Sequence, residues 1–341
     1  MMKDDRPKGH DAVDSNTHPD SSDHYSTNDH HGRFATREEF RTKFGREMAN
    51  MVATERAIMG RDRHIMRQMR FRSLQPDFQG GLLSLPGNLQ TELIRPLRPP
   101  LGSISIGDLS IVIGLPRVDH RTLTDEERSR FNTAVQKAHT STQYQLLADI
   151  HLERKHRMHG IHAGVAGNLR FLPWHRQYML EFEKMLRLHE PTVRIPYWDY
   201  ANDRARPDWV YQPSSVSRGQ PGANGDELPD PQVVSDIIQN SATYSEFAED
   251  LEYDAHNSVH NWCNGTISNP DTATQDPIFW LLHANVDRLW DRWQITHDGV
   301  PLLTGTDAVL DPWQPVTVAD VDSISQLGYW YGLHTVGPWT S

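Results

Sequence analysis

The chain has 341 residues, and its 34 Lys and Arg against 45 Asp and Glu give a formal net charge of -11 at pH 7. That length can hold one large domain or two ordinary ones. An acidic chain without a concentrated basic face argues against nucleic acid as a partner. No apolar run approaches the roughly 20 residues of a membrane-spanning helix, so no membrane partner is expected. The single cysteine, Cys263, excludes an internal disulfide framework and a multi-cysteine metal site.

The first segment, residues 1–33, is rich in Asp, Ser, His and Asn and offers almost nothing to bury. It is predicted to be a disordered polar tail. It also lacks the apolar stretch of a secretory signal. We therefore expect a cytoplasmic protein by default, with export by a separate partner protein left open.

The second segment, residues 34–116, is a predicted N-terminal extension. From residue 37 to 72 the sequence is charged and helical, with one apolar stripe at three- and four-residue spacing. The members of this stripe are Phe40, Phe44, Met48, Met51 and Val52. Such a helix is unstable alone and needs an apolar surface. The extension should therefore pack on the core or on a neighbouring chain, either as a structural brace or as a lid over a site.

A Pro/Gly-rich stretch, residues 75–116, completes the extension and contains two short β-prone pieces, at residues 103–106 and 109–113. The third segment, residues 117–341, is dominated by predicted helices. The first of them begins with Thr124 as N-cap and Glu127 at the third helical position, a capping box. The second covers residues 142–158.

The inner face of that second helix is predicted to carry Leu146, Leu147 and Ile150. A third helix starts at Pro173, a favourable first helical residue, and stops before residue 191. A fourth covers residues 244–261. The fifth opens with Asp276 as N-cap and ends near residue 299. With a long loop at residues 201–230, the expected fold is mainly α, a helical bundle with long connections.

Histidines concentrate on the last two of these helices. His256 and His260 are four residues apart, so they lie on one helical face and can hold one metal ion from a rigid element. His283 belongs to an apolar stripe with Phe279 and Trp290. A single histidine in such a stripe is more often a neutral core residue. Three together, two of them paired, favour a metal site.

A second group of histidines lies upstream. His175 belongs to another apolar stripe, and His151 lies on the inner side of the second predicted helix. His159 and His162 lie where that helix ends and a glycine-rich loop begins, and both remain candidates for the third position. The helical spacing from His151 favours His159.

Two histidine-only sites on neighbouring helices indicate a metal that prefers imidazole, which leaves zinc, copper, iron or nickel. The faces carry too few carboxylates for a di-iron bundle, which needs Glu-x-x-His pairs with additional Glu. A zinc hydrolase would usually add a carboxylate or a clear general base. All-imidazole ligation at two adjacent sites favours copper.

Several short motifs surround these histidines. They are FLPWHR at 171–176 with Tyr178, Phe182 and Glu183, PYWD at 196–199, HNSVHNW at 256–262, DPIFW at 276–280, HANVDRLW at 283–290 and YWY at 329–331. Together these motifs resemble the tyrosinase and catechol-oxidase family of type-3 copper proteins, and its bacterial tyrosinases in particular. The resemblance covers about residues 117–333.

This resemblance implies a four-helix bundle core that holds a dinuclear copper site, bridged by hydroxide or peroxide, with O2 as co-substrate. One copper ion would be bound by His151, His159 or His162, and His175. The other would be bound by the second histidine group, His256, His260 and His283.

The implied activity is hydroxylation of monophenols and oxidation of o-diphenols to o-quinones, as in tyrosinases, with phenolic small molecules as substrates. A catechol oxidase or an o-aminophenol oxidase without monophenolase activity is the first alternative. An oxygen-binding protein of the haemocyanin kind is another, disfavoured by the short chain without repeated copper domains. Homodimer formation is left open.

The resemblance also assigns supporting roles. In tyrosinases, an Asn directly after the first copper-B histidine is thought to hold, with a nearby Glu, the water that accepts the phenol proton. Asn257 occupies that position, and Glu252, one turn before His256, is the candidate partner. No bulky aromatic residue occurs at positions 268–274, where some members place a gate, and both features favour monophenolase activity. Asp287 is predicted to accept the second N–H of His283.

Overall fold

A computed structural model describes residues 32–61, 103–106, 109–112 and 116–332, which all belong to one compact unit. The predicted polar tail up to residue 31, the predicted helical residues 62–72 and most of the Pro/Gly-rich stretch lie outside the described residues. The described part is predominantly α-helical, as the sequence predicts. None of its helices is both long and apolar enough to cross a bilayer.

The elements follow one another as a series of helices with one small sheet. The helices are α1 (Arg37–Arg61), α2 (Asp125–His139), α3 (Thr142–Leu152), α4 (Gly160–His189), α5 (Pro231–Asn240), α6 (Tyr244–Glu252), α7 (Ser258–Cys263) and α8 (Ile278–Thr296). A π-turn, Tyr253–Asn257, joins α6 to α7. Strands β1 (Ser103–Ile106) and β2 (Leu109–Val112) pair antiparallel, which confirms the two β-prone pieces.

Two predicted helix starts are confirmed. At the start of α2, the hydroxyl of Thr124 accepts from the Glu127 amide at 3.2 Å, and the Glu127 carboxylate accepts from the Thr124 amide at 2.8 Å. Before α8, the carboxylate of Asp276 accepts from the amide of Ile278 at 3.0 Å. Both caps satisfy amides that have no partner within the helix.

The second predicted helix is shorter than expected. α3 ends at Leu152 because Glu153 adopts an extended conformation and Arg157 a left-handed one, with φ of 52°. Leu146 is 44% exposed, so its predicted place on the inner face is wrong. The buried face of α3 carries Tyr144, Leu147, Ala148 and His151.

The third predicted helix starts earlier than expected, at Gly160, and Pro173 lies in its interior. Proline has no N–H to donate to the carbonyl four residues back, which usually breaks a helix. Here the hydroxyl of Tyr244 on α6 donates to that carbonyl, on Leu169, at 3.0 Å. This substitute hydrogen bond explains how α4 continues through Pro173.

The core is formed chiefly by α4 and α8. Their aromatic residues interlock, as in the stacked rings of Phe182 and Trp280, whose centroids lie 3.9 Å apart. α1 packs on α4 and α6, where Phe40 and Met48 are buried with Tyr253. The predicted apolar stripe of α1 therefore faces the core, as expected, and residues 160–175 of α4 lie at the centre of the molecule.

Candidate metal centre

Six histidines form two groups of three, each with ligand nitrogen atoms within 4.8 Å of one another. Triad A consists of His151 on α3, His159 directly before α4, and His175 on α4. Triad B consists of His256 in the π-turn, His260 on α7, and His283 on α8.

Of the two alternatives left open by the sequence, His159 lies in triad A. His162 is half-buried in the first turn of α4 and is not one of the three residues of triad A. A non-helical break at Ala163 and Gly164 separates this first turn from the part of α4 that carries His175.

The two triads lie side by side. The rings of His175 and His283 stack with centroids 4.4 Å apart and planes 15° apart. On the other side, the rings of His159 and His256 lie 6.0 Å apart. Because α4 and α8 are both buried core helices, this pairing of triads is held by the packing of the fold.

Hydrogen bonds fix which nitrogen atom of most rings carries the proton. The Nδ1 atoms of His175 and His260 donate to the carbonyl oxygens of Phe171 and Ile267, each at 2.8 Å. His159 Nδ1 lies 3.2 Å from Glu252 Oε1, and His256 Nδ1 lies 2.7 Å from the side-chain oxygen of Asn257. A ring that donates through Nδ1 keeps a lone pair on Nε2, the form that binds a metal.

The Nε2 atoms of triad A, on His151, His159 and His175, are buried without a hydrogen-bond partner. In triad B, the Nε2 atoms of His256 and His260 lie 3.2 and 3.4 Å from that of His283. Buried nitrogen atoms are rarely left unpaired, and lone pairs that face one another repel. A cation bound within each triad removes both penalties, so the residues fit a metal ion in each triad.

Five of the six histidines of the triads have pKa values below the ordinary value of 6.5, which favours their neutral form at pH 7. Burial lowers the pKa of His151, His175, His256 and His283 well below the usual range, and neighbouring histidines act in the same direction. Burial lowers the pKa of His260 to about 3. Neutral imidazole is the form that coordinates a metal, so the triads are prepared for binding.

Comparisons with known proteins agree with this geometry. A family model described as the common central domain of tyrosinase matches residues 141–230 and 204–296, which contain all six histidines. Residues 141–296 thus carry the common central domain of the tyrosinase family. The tyrosinase of Streptomyces lincolnensis is 28% identical over 262 residues, covering 60% of this chain and 94% of that protein.

Two further known proteins are similar to this chain. Grixazone synthase of Streptomyces griseus is 25% identical over 301 residues, covering 60% of this chain and 95% of that protein. A latent aurone synthase, a polyphenol oxidase, shares the fold with a TM-score of 0.52 at 18% identity, covering 71% of this chain and 62% of that one. The two triads fit the dinuclear copper site of the family.

Asp287 has a different role in this tyrosinase-family protein from the one predicted. Its carboxylate accepts from Arg176 Nε at 2.5 Å, from Arg117 Nη1 at 3.3 Å and from the Tyr329 hydroxyl at 2.7 Å. The predicted hydrogen bond from His283 is absent, since His283 Nδ1 has no partner. Burial raises the pKa of Asp287, but the two guanidinium groups outweigh burial and hold that pKa below its usual range. Asp287 therefore anchors buried arginines.

Glu252 also lies differently from the prediction. It is 1% exposed, and besides His159 Nδ1 it accepts from the Gly160 amide at 3.1 Å and from Asn168 Nδ2 at 2.8 Å. No hydrogen bond joins it to Asn257 among the described residues, because the Asn257 amide donates to the Ala35 carbonyl at 2.7 Å. Glu252 thus orients a ring of triad A.

One residue at the site, Phe34, was not predicted from the sequence. Its ring stacks on the ring of His260, with centroids 4.0 Å apart and planes 20° apart. It lies more than 200 positions from His260 in the chain, directly before α1, and carries no motif. The packing of α1 on the core and hydrogen bonds between Asn261 and the Phe34 backbone bring it here.

Proposed function

We propose that this tyrosinase-family protein is a type-3 copper oxidase that uses O2 to hydroxylate monophenols and to oxidise o-diphenols to o-quinones. The observation that carries the proposal is the pair of adjacent triads: within each triad the ligand nitrogen atoms lie within 4.8 Å of one another, and the rings of His175 and His283 stack across the triads at 4.4 Å. A centre of imidazole ligands alone favours copper among the metals of proteins.

When bound, the copper ions supply the redox chemistry with O2, and the protein supplies placement and electrostatics. Triad A would hold one ion and triad B the other. The hydrogen bonds of His159, His175, His256 and His260 through Nδ1 keep the opposite nitrogen of each ring available. Burial of the rings excludes bulk water and keeps the imidazoles neutral.

A monophenol must lose its proton to bind as phenolate, and Asn257 is the residue that we propose supports this step. Its side-chain oxygen accepts from His256, and its amide nitrogen donates to the buried carbonyl of Ala35. That nitrogen can hold a water molecule when the carbonyl is displaced. Glu252, in contrast, is engaged by three donors and serves as a positioning residue for His159.

Copper content and oxidation rates test the function directly. The copper-loaded protein should hold one copper per triad and oxidise L-DOPA, tyrosine and o-aminophenol at rates that separate the activities. His283→Gln should lower copper content and abolish oxidation, because it removes a ligand from triad B. His189→Gln, at the exposed end of α4, is the matched control and should change neither quantity.

Full copper loading without oxidation of any of the three substrates would contradict an oxidase and favour an oxygen carrier. Oxidation of L-DOPA without oxidation of tyrosine would restrict the activity to that of a catechol oxidase. Activity on o-aminophenol alone would identify an o-aminophenol oxidase.

A further inference from the structure

The six histidines of the two triads are closed off from solvent. Their exposed fractions range from 0% for His256 and His260 to 6% for His159. A phenol must reach the nitrogen side of these rings to react, so a covering group must move first. Two aromatic neighbours of the triads, Phe171 and Phe279, belong to the core helices α4 and α8. A third, Phe34, is buried in the same core but precedes α1 and belongs to no helix.

The ring of Phe34 contacts both triads at once. Besides stacking on His260, it meets the ring of His256 edge-on at 5.5 Å and that of His159 at 6.2 Å. Phe34 itself is only 3% exposed. An apolar six-membered ring therefore lies flat on an imidazole of triad B and against triad A, which is the space where a phenolic ring would need to lie.

The backbone beside this ring is held by two asparagine side chains. Asn261 accepts from the Phe34 amide at 2.9 Å and donates to the Phe34 carbonyl at 3.1 Å. Asn257 donates to the Ala35 carbonyl at 2.7 Å. Phe34 and Ala35 thus present the chemical features of a phenol, an apolar ring with an oxygen acceptor nearby. Asn257, the residue proposed above to assist phenol deprotonation, is occupied by this acceptor.

The segment is joined to the core by contacts that can be broken locally. Directly after it, Arg37 forms ion pairs with Glu249 at 3.2 Å, with Asp254 at 2.5 Å and with Asp250. Glu249 is buried, whereas Arg37, Asp250 and Asp254 are partly exposed, and partly exposed ion pairs contribute little and weaken with salt. Residues 32–61 also precede the family-matched region, which begins at residue 141. The segment can therefore leave while the metal-binding core stays folded.

We propose that residues 32–36 form an N-terminal plug, in which Phe34 occupies the place of the substrate's aromatic ring and Ala35 engages Asn257. Phenols bind only when the plug leaves, so Phe34 determines which substrates gain access and how tightly. The inference rests on the proposed function, because it identifies the covered space as the place for a phenol.

A binding experiment on the full chain tests the plug without turnover. The protein is loaded with Zn²⁺, which is redox-inert, and titrated with 4-nitrophenol, followed by the phenol's absorbance. Phe34→Ala should bind 4-nitrophenol at least about tenfold more tightly than the unaltered protein, because no buried ring must be displaced. Phe44→Ala, which removes a half-buried ring of α1, should bind like the unaltered protein. Equal affinities in all three proteins, or binding to none, would overturn the proposal.

A second measurement needs no substitution at Phe34. Hydrogen exchange of the Phe34 amide, which is bonded to Asn261, should accelerate severalfold when the unaltered zinc-loaded protein is saturated with 4-nitrophenol. Amides within α8 should keep their protection. Unchanged exchange at Phe34 would overturn the plug.

Catechol oxidation by the copper-loaded unaltered and Phe34→Ala proteins is measured in parallel. If neither protein oxidises catechol, the proposed oxidase function is contradicted. The plug is tested independently by the experiments on the zinc-loaded proteins.

Discussion

At the scale of single residues, the orientation of His159 depends on Glu252. The carboxylate of Glu252 accepts hydrogen bonds from the His159 ring, from the Gly160 amide and from the Asn168 side chain, so it is held by three donors. An acceptor behind a metal-binding imidazole fixes the ring and increases its basicity. Glu252 therefore acts on the metal through His159 and not on the phenol.

Glu252→Gln should weaken copper binding at triad A by about 10–100-fold. The amide of Gln would turn a donor towards Gly160 or Asn168, so His159 would lose its fixed orientation. Rates on tyrosine and on L-DOPA should then fall by the same factor at limiting copper. Glu246→Gln, in the cap at the start of α6, is the control and should leave copper binding unchanged. A loss confined to tyrosine, at normal copper content, would instead make Glu252 the proton acceptor.

The sequence predicted the ligand residues better than their surroundings. Histidines at helical spacing in apolar stripes indicate a site by themselves, which is why His256, His260 and His283 were recognised as a group. The partners of Glu252 and Asp287 depend on side chains from distant segments, such as Asn168 and Arg117. Helical spacing placed Asp287 one turn from His283, but two buried guanidinium groups compete for its carboxylate.

At the scale of elements, α4 carries the close packing on which triad A depends. Gly167 lies against the chain at His159, and a Cβ atom on Gly167 would be 2.4 Å from the His159 carbonyl oxygen. The glycines in this region were predicted from the sequence to form a loop. Gly167 instead belongs to α4, and it is glycine because α4 approaches the His159 backbone too closely there for a side chain.

Gly167→Ala should lower the free energy of unfolding by about 1–3 kcal/mol, because the new methyl group must displace the His159 backbone. Copper content at triad A should fall with it. Gly45→Ala, on α1, is the matched control, since its Cβ would lie 3.6 Å from the nearest atom, in ordinary contact. It should be neutral or stabilising by up to about 1 kcal/mol. Denaturant unfolding and metal analysis of both variants measure these effects. Normal copper content in Gly167→Ala would show that His159 tolerates the displacement.

Helix boundaries show where local signals fail. Caps at Thr124 and Asp276 are local, and the helices begin beside them as predicted. Pro173 is also a local signal, but its meaning depends on the Tyr244 hydroxyl from another helix, so α4 begins thirteen residues earlier than a start at Pro173 would give. α3 ends early because Glu153 adopts an extended conformation, which no local signal in the sequence marks.

At the scale of the whole molecule, the metal centre concentrates buried ionisable groups in one place. Five of its histidines have pKa values lowered by burial, from the ordinary value of 6.5. The mainly α fold was predictable because apolar periodicity is repeated in every core helix. The lowered pKa values of the histidines were not predictable, because they depend on how deeply the completed fold buries each ring.

The metal-free protein should therefore lose stability as the pH falls below about 6.5. In the unfolded chain these histidines bind protons below their ordinary pKa, whereas in the folded protein they stay neutral to a much lower pH. The unfolded state then binds more protons, so the free energy of unfolding rises with pH, by about 1.4 kcal/mol per pH unit for each such group. Denaturant unfolding of metal-free protein between pH 5 and 8 measures this dependence. Below pH 6 the free energy of unfolding should rise with pH with the slope of several such groups, and above pH 7 it should be constant.

His260→Gln, which removes one titrating ring, should reduce the slope by the contribution of about one group. The zinc-loaded protein should keep its stability to lower pH, because the metal occupies the nitrogen atoms that protons would take. A metal-free protein equally stable at pH 5 and pH 8 would show that the triads open to solvent before they titrate.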